Sequence, residues 1–224
     1  MEKHRMKLFA VSDIHGALAP IRNAAPLIRE ADAVVIAGDL TRTKTRAEAA
    51  DVIACMEQYS KNILAVHGNW DRVEVADFLV EKGYSLHGKG RILEGVGFFG
   101  VGGSSPTPFH TATEYKEEEI ARILEKGYGE VREASPTVLI SHAPPRGVRD
   151  RSFLGLHGGS RSVKAFLEEH PVSLCLCGHI HEAAGIERFE NTLVANGGAF
   201  QKGCYVSVDI GPALAATGGR VDWR

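Results

Sequence analysis

Long apolar runs are missing from this 224-residue chain. No stretch approaches the roughly 18 consecutive apolar residues that span a bilayer, so a membrane is not an expected partner. The opening residues run into a strand that Asp13 interrupts too soon for a signal peptide, and the sequence predicts a cytoplasmic protein. An excess of one charge is missing as well. Lys and Arg number 26 against 28 Asp and Glu, a formal net charge of −2, so there is no basic footprint for a long nucleic acid. Cysteine is scarce: Cys55 lies in a helical pattern, Cys204 near a late strand, and Cys175 and Cys177 inside an apolar run. No Cys-x2-Cys pair exists to build a thiolate zinc site, and Cys-x-Cys in a strand reads as two small buried hydrophobes. Fixed-period repeats, low-complexity tracts and linkers are also lacking. A 44% apolar and 24% charged composition is that of an ordinary globular protein, and one domain over 1–224 is expected.

The first third of the chain alternates strand and helix. Apolar runs at 7–11, 33–37 and 62–66 are separated by helical patterns at 18–31 and 46–59, with a third at 73–82. That alternation predicts right-handed βαβ crossovers and a parallel sheet, whose ligands collect beyond the carboxyl ends of the strands. Short strands punctuated by Gly follow at 85–101 and predict hairpins. A loop rich in Gly, Ser, Pro and Thr occupies 102–112, and loops of that length are commonly functional. A helix is expected over 113–126 with Thr113 as its N-cap. Next come a strand at 136–141, a second long loop to Ser160, a helix over 162–169 and a strand at 174–177. The rest reads as an antiparallel meander with one more edge strand over 218–223.

Polar residues sit at five of the predicted strand ends: Asp13 and His15, Asp39, Asn69 and Asp71, His142, and His179 and His181. Each has an ordinary explanation alone. An Asp after a strand caps a helix, an Asn makes a turn, and a His before Pro-Pro decorates a loop. Asp71 set aside, together they bring two carboxylates, one carboxamide and four imidazoles to one sheet edge, an electrostatic and desolvation burden without a cation. A mixed nitrogen and oxygen set with no thiolate suits Mn, Fe or Zn better than calcium. Seven donors exceed one tetrahedral site and suit two ions sharing a carboxylate.

Asp13-x-His15, Gly38-Asp39, Gly68-Asn69-x-Asp71, His142 and Gly178-His179-x-His181, in this order, resemble the calcineurin-like metallophosphoesterase family. The segment from Gly102 to Phe109 is similar to small single-domain prokaryotic members. The resemblance implies an α/β fold, a four-layer α/β/β/α sandwich of two mixed β-sheets flanked by helices. It implies two divalent ions, manganese foremost with Fe, Zn, Ni or Co as alternatives. Asp13, His15 and His181 would hold one, Asn69, His142 and His179 the other, and Asp39 would bridge them. Asp39, Asn69 and His142 would also position a bridging hydroxide that attacks phosphorus in line and stabilise the charge gathering there. Asp71 would orient a neighbour rather than bind metal.

The resemblance has one gap that bears on chemistry. Many members carry a histidine after the motif asparagine as general acid, where this chain has Trp70, and an indole donates no proton at neutral pH. His110 and His157 lie in long loops and are either substitutes or plain loop residues. Trp70 either covers the site, stacks on a base or aryl group, or packs on the scaffold. Arg146, with Arg42, Arg46, Arg149 and Arg151, either binds an anionic group or is a solvated loop charge. Asn196-Gly197-Gly198 also departs from the Asn-Pro-Gly common among relatives while keeping the turn. The expected function is hydrolysis of a small phosphorylated substrate, a phosphodiester before a monoester. A nuclease acting on nucleic-acid ends and a non-catalytic scaffold of the same fold are the alternatives. A metallo-β-lactamase-like hydrolase is disfavoured because no His-x-His-x-Asp-His cluster is present. The sequence is compatible with a homo-oligomer.

Overall fold

The computed structural model describes residues 5–211 and 213–222. Side-chain alternation along the strands decides the layering. In β1 (Met6–Val11) Leu8 and Ala10 face one way while Phe9 and Val11 face the other, and in β2 (Ala33–Ala37) Val35 and Val34 divide likewise. Both faces are apolar, so both must be covered. One face packs on α1 (Leu18–Asn23), α2 (Ala25–Glu30), α3 (Arg46–Glu57) and α4 (Val73–Glu81), through Ile21, Ile28, Val52, Ile53 and Phe78. The other meets a second sheet, where Leu8, Val35 and Val66 pack with Phe98, Ile140 and Leu176. Each such side chain contributes about 1.5–3 kcal/mol on full burial.

The first sheet runs β11-β10-β1-β2-β3, with β3 (Ile63–Val66), β10 (Cys204–Ile210) and β11 (Ala215–Arg220). Its β1, β2 and β3 are parallel, and β10 lies antiparallel to β1. The second runs β4-β5-β6-β7-β9-β8, from β4 (Gly90–Leu93), β5 (Val96–Val101), β6 (Thr137–Ser141), β7 (Leu174–Cys177), β8 (Gly185–Phe189) and β9 (Thr192–Asn196). Its outer face is covered by α5 (Glu117–Gly129) and α6 (Arg161–Glu169), with Phe99, Cys175 and Cys177 packed on Leu124 and Phe166. The result is the expected four-layer α/β/β/α sandwich. The two strand cysteines are small buried hydrophobes, as expected.

Four local expectations need correction. The helix over 18–31 is two helices broken at Ala24, because Pro26 opens the second one. The helix expected from Thr113 begins at Glu117 with Lys116 as N-cap, since Thr113 donates its hydroxyl to Asp71 O and its N–H to Asn69 O. Residues 85–87 form isolated bridges to Ala65 and Gly100 rather than a strand. The meander is divided: β8 and β9 form a hairpin at the edge of the second sheet, β9 is parallel to β7, and β10 crosses to the first sheet. Of the edge strand expected over 218–223, residues 218–220 belong to β11, and Trp223 lies outside the described residues. Among the described residues no helix is long and apolar enough to cross a membrane.

Candidate metal centre

The loops after β1, β2 and β3 meet those after β6 and β7 at one end of the sandwich. Asp13 N–H donates to Gly38 O at 3.0 Å, His15 N–H to Asp39 O at 3.0 Å, and Gly16 N–H to Leu40 O at 2.9 Å. Across the sheets, His179 N–H donates to Asp13 Oδ2 at 3.1 Å, while within the second sheet Gly178 N–H, after β7, donates to His142 O, after β6, at 3.0 Å. Asp71, fully buried, accepts from Gly68 N–H, Leu40 N–H, Thr41 N–H and the Thr41 hydroxyl, tying the β2 loop to the β3 loop. This lacing holds four non-glycine residues in the left-handed region, with φ of 55° at Asp13, 45° at His15, 54° at Asp39 and 66° at His179. Such backbone costs of order 1–3 kcal/mol each and persists where the surroundings over-determine it. The four are all predicted ligands.

Donor atoms of Asp13, His15 and His181 lie within 4.8 Å of one another, and so do those of Asp13, Asp39 and His142. Asp39 faces both ways, with Oδ2 at 3.8 Å from His15 Nε2 and Oδ1 at 3.5 Å from His142 Nε2. His179 packs its ring 5.1 Å from that of His142, and Asn69 Oδ1 lies 2.8 Å from His142 Nε2. The structure therefore gathers all seven sequence-derived candidates.

Hydrogen bonding shows what the cluster lacks. His142 Nδ1 lies 2.8 Å from Ala37 O and His15 Nδ1 lies 3.2 Å from Thr41 O. A carbonyl only accepts, so each Nδ1 carries hydrogen and Nε2 is the nitrogen turned inward, the usual arrangement of metal-binding histidines. Burial pushes His142 below the usual histidine range, leaving Nε2 as a lone pair. That lone pair faces Asn69 Oδ1, another acceptor. The amide cannot relieve the clash by turning over, because its Nδ2 donates to Thr111 Oγ1 at 2.9 Å and that hydroxyl donates to Glu114 Oε1 at 2.6 Å. Asp13 Oδ1 is buried and makes no hydrogen bond, although His181 Nε2 stands 3.0 Å away.

The carboxylates show the same deficit. Burial, then the neighbouring Asp13 and Asp71 charges, raise Asp39 well above the carboxylate range. Burial alone would raise Asp13 too, but its contact with His181 and the nearby His142 pull it far down. Contact with Asp13 in turn holds His181 up, while burial drives His179 down to about 3. Converging lone pairs, an orphaned carboxylate oxygen and a proton-seeking Asp39 are all relieved by cations, so the donor set fits divalent metal. Glycines clear the space. A Cβ on Gly38, at φ +92°, would strike the His142 ring, and one on Gly68 would overlap Asp39 Oδ1.

Around this cluster Asp71 ties the β2 and β3 loops together. Trp70 donates its backbone N–H to Asp39 Oδ1 at 2.8 Å and its indole N–H to Arg42 O at 2.9 Å, with Lys44 Nζ 3.8 Å above the ring. His157 is paired with Asp150 at 2.7 Å, Arg146 donates to His157 O at 3.2 Å, and His110 is an exposed turn residue at φ 48°. Arg46 is engaged by Glu81 and Arg149 by Glu187, so neither is free for an anion. Sequence reasoning missed four contributors. Thr111 and Glu114 orient Asn69, Lys44 rides on Trp70, and Asn196 holds the His179 segment by donating Nδ2–H to Gly178 O and Ile180 O. Asn196 could have been found from its Asn-Gly-Gly turn, and the others carry no local signal.

Residues 6–209 match the calcineurin-like phosphoesterase superfamily domain. An uncharacterized protein of Methanocaldococcus jannaschii is 36% identical over 200 residues, covering 85% of this chain and 87% of that one. The crystal structure of TT1561 of Thermus thermophilus superposes with a TM-score of 0.75 at 19% identity, covering 97% of this chain and 99% of that one. A dimetal phosphatase from Danio rerio superposes with a TM-score of 0.63 at 12% identity, covering 97% of each chain. At such identities these two structures report the fold alone.

Proposed function

The chain belongs to the calcineurin-like phosphoesterase superfamily, and from that premise we propose a cytoplasmic phosphodiesterase that hydrolyses small phosphodiesters or nucleotides at a pair of divalent ions. Asp13, His15 and His181 form one ligand set and Asn69, His142 and His179 the other, with Asp39 shared. The observation that carries this reading is Asp39, whose two oxygens address His15 on one side and His142 on the other. A mixed imidazole, carboxylate and carboxamide set without thiolate accepts manganese, iron or zinc, and manganese is the ion we propose. Bound in pairs, such ions supply a nucleophilic oxygen near neutral pH and offset charge on phosphorus.

The residues of the chain provide the rest. Asn69, fixed by Thr111 and Glu114, and His142, fixed by Ala37 O, present rigid donors to the same space. Ligands held this rigidly would fix an ion in place, so that it offsets charge on the phosphoryl oxygens without reorganisation. A diester is favoured over a monoester because it brings one negative charge fewer, and Arg46 and Arg149 are already neutralised by glutamates. The near-neutral chain favours a small ester over a polynucleotide, and four free cysteines accord with a reducing compartment.

The test is turnover of paired aryl phosphate mono- and diesters after chelation and after Mn²⁺ restoration, with Asp39→Asn as control. Diester turnover should return with metal and fall roughly 10²-fold or more in the variant, as for loss of one electrostatic stabiliser. Turnover of neither ester, with metal demonstrably bound, would overturn the reading. Monoester turnover alone would replace the diesterase with a phosphomonoesterase.

A further inference from the structure

Cleavage of an unactivated phosphodiester leaves an alkoxide, which needs a proton. The histidines of the centre are poor sources, since His142 and His15 have their Nδ1–H bound to carbonyls and their Nε2 turned to the metal side. His157 is held by Asp150. Trp70 beside Asn69 has only an indole N–H, which donates to Arg42 O and does not ionise near neutral pH.

One further cation stands beside Trp70. Lys44 places Nζ 3.8 Å from the centroid of the Trp70 ring, and Trp70 follows Asn69 and donates its backbone N–H to Asp39 Oδ1 at 2.8 Å. This placement is built rather than incidental. Trp70 is pinned at both ends, by its backbone N–H on Asp39 Oδ1 and its indole N–H on Arg42 O. The loop carrying Lys44 is clamped by Glu48, which accepts from Arg42 N–H, Thr43 N–H and the Thr43 hydroxyl, while Thr45 caps α3 through Glu48 N–H. Lys44 itself is held at φ 66°, a conformation that a free surface lysine has no reason to keep. The side chain is half-buried, with the indole as a floor that orients the ammonium without consuming its protons.

We propose that Lys44, seated on Trp70, is the proton donor to the leaving group, with Trp70 as its positioning residue. The proposal rests on the phosphodiesterase reading. As the bond between phosphorus and the leaving oxygen breaks, its electron pair stays on that oxygen. Lys44 Nζ gives it one proton, so the alcohol departs neutral, and the resulting amine regains a proton from solvent water.

The experiment compares wild type, Lys44→Met and Lys44→Arg on methyl phosphate diesters whose second group runs from 4-nitrophenyl through phenyl to ethyl. Metal content is measured for each protein. Lys44→Met should lose roughly 10²–10⁴ in kcat on the ethyl ester, the usual contribution of a general acid, but less than tenfold on the 4-nitrophenyl ester. Lys44→Arg keeps the charge yet does not deprotonate, so it should recover KM without recovering kcat on the ethyl ester. In metal-free protein carrying Trp223→Phe, Lys44→Met should also change the Trp70 emission. An equal loss on every ester would make Lys44 a binding cation and overturn the proposal, as would wild-type rates on the ethyl ester. Unchanged emission would remove its geometric basis. A wild type inactive on all the esters with metal bound would overturn the phosphodiesterase reading along with it, which separates the two failures.

Discussion

Replacing Thr111 by valine exchanges a hydroxyl for a methyl group of similar size, and the consequence falls on Asn69 some 40 positions away. In the native arrangement the Asn69 amide donates Nδ2–H to Thr111 Oγ1 at 2.9 Å, which turns Oδ1 toward His142 Nε2. Losing that acceptor removes about 1 kcal/mol of preference for this orientation. Turning the amide over gains about as much, because Nδ2–H then donates to the His142 lone pair. The swing of about 2 kcal/mol corresponds to roughly 30-fold in affinity for a cation on the Asn69 side, at 1.36 kcal/mol per decade. That lies inside the ~10–100-fold typical of groups that support a ligand. The assay is calorimetric titration of metal-stripped protein with Mn²⁺. One binding event should weaken about 30-fold and the other by less than about threefold, with Thr111→Ser close to wild type. If both events in Thr111→Val stay within threefold of wild type, the orientation argument fails.

Two further outcomes follow from the surroundings of the site. His87 packs 4.7 Å from His67 and 5.2 Å from Tyr115, and its Nδ1 accepts Gly102 N–H at 3.0 Å, which a protonated ring could not do. Burial lowers it to about 4 from an ordinary value of 6.5. The unfolded chain therefore binds the extra proton between those values, and stability falls as pH drops from 6.5 to 4, by about 3 kcal/mol at most. Urea denaturation of metal-free protein across that range should show the fall, and His87→Gln should flatten it; parallel profiles would contradict the account. Gly68→Ala places a methyl group on Asp39 Oδ1 and against the Asp39 backbone nitrogen. Metal content should drop and stability decrease by about 1–3 kcal/mol as the β2 loop shifts, both read directly by metal analysis and thermal unfolding.

The convergence of the seven candidates was legible because each follows an apolar run that reads as a covered strand, and the chain direction puts those strand ends on one side. Partnership between strands was not legible. Residues 192–196 and 204–210 have similar alternation, and nothing local says that one joins β7 while the other crosses to β1. The start of α5 was misplaced because Thr113 carries good capping chemistry that the fold spends on Asp71 and Asn69. Asp71 was legible as a supporting group, but Thr111, Glu114 and Lys44 were not. Their importance comes from what stands opposite them in space, and a threonine or lysine in a polar loop looks the same whether or not it faces a metal site.

The division of the donors between two sheets has a bearing on biosynthesis. Asp13, His15, Asp39 and Asn69 are made early, whereas His179 and His181 follow β7, and β10, the strand that flanks β1, is made later still. On the assignment proposed above, a chain still on the ribosome holds an acidic half-site without the second sheet's imidazoles to face it. Ions held by the full donor set would enter only a nearly finished protein. A chain ended before β7 would lack the His179 and His181 side of the clasp between the sheets.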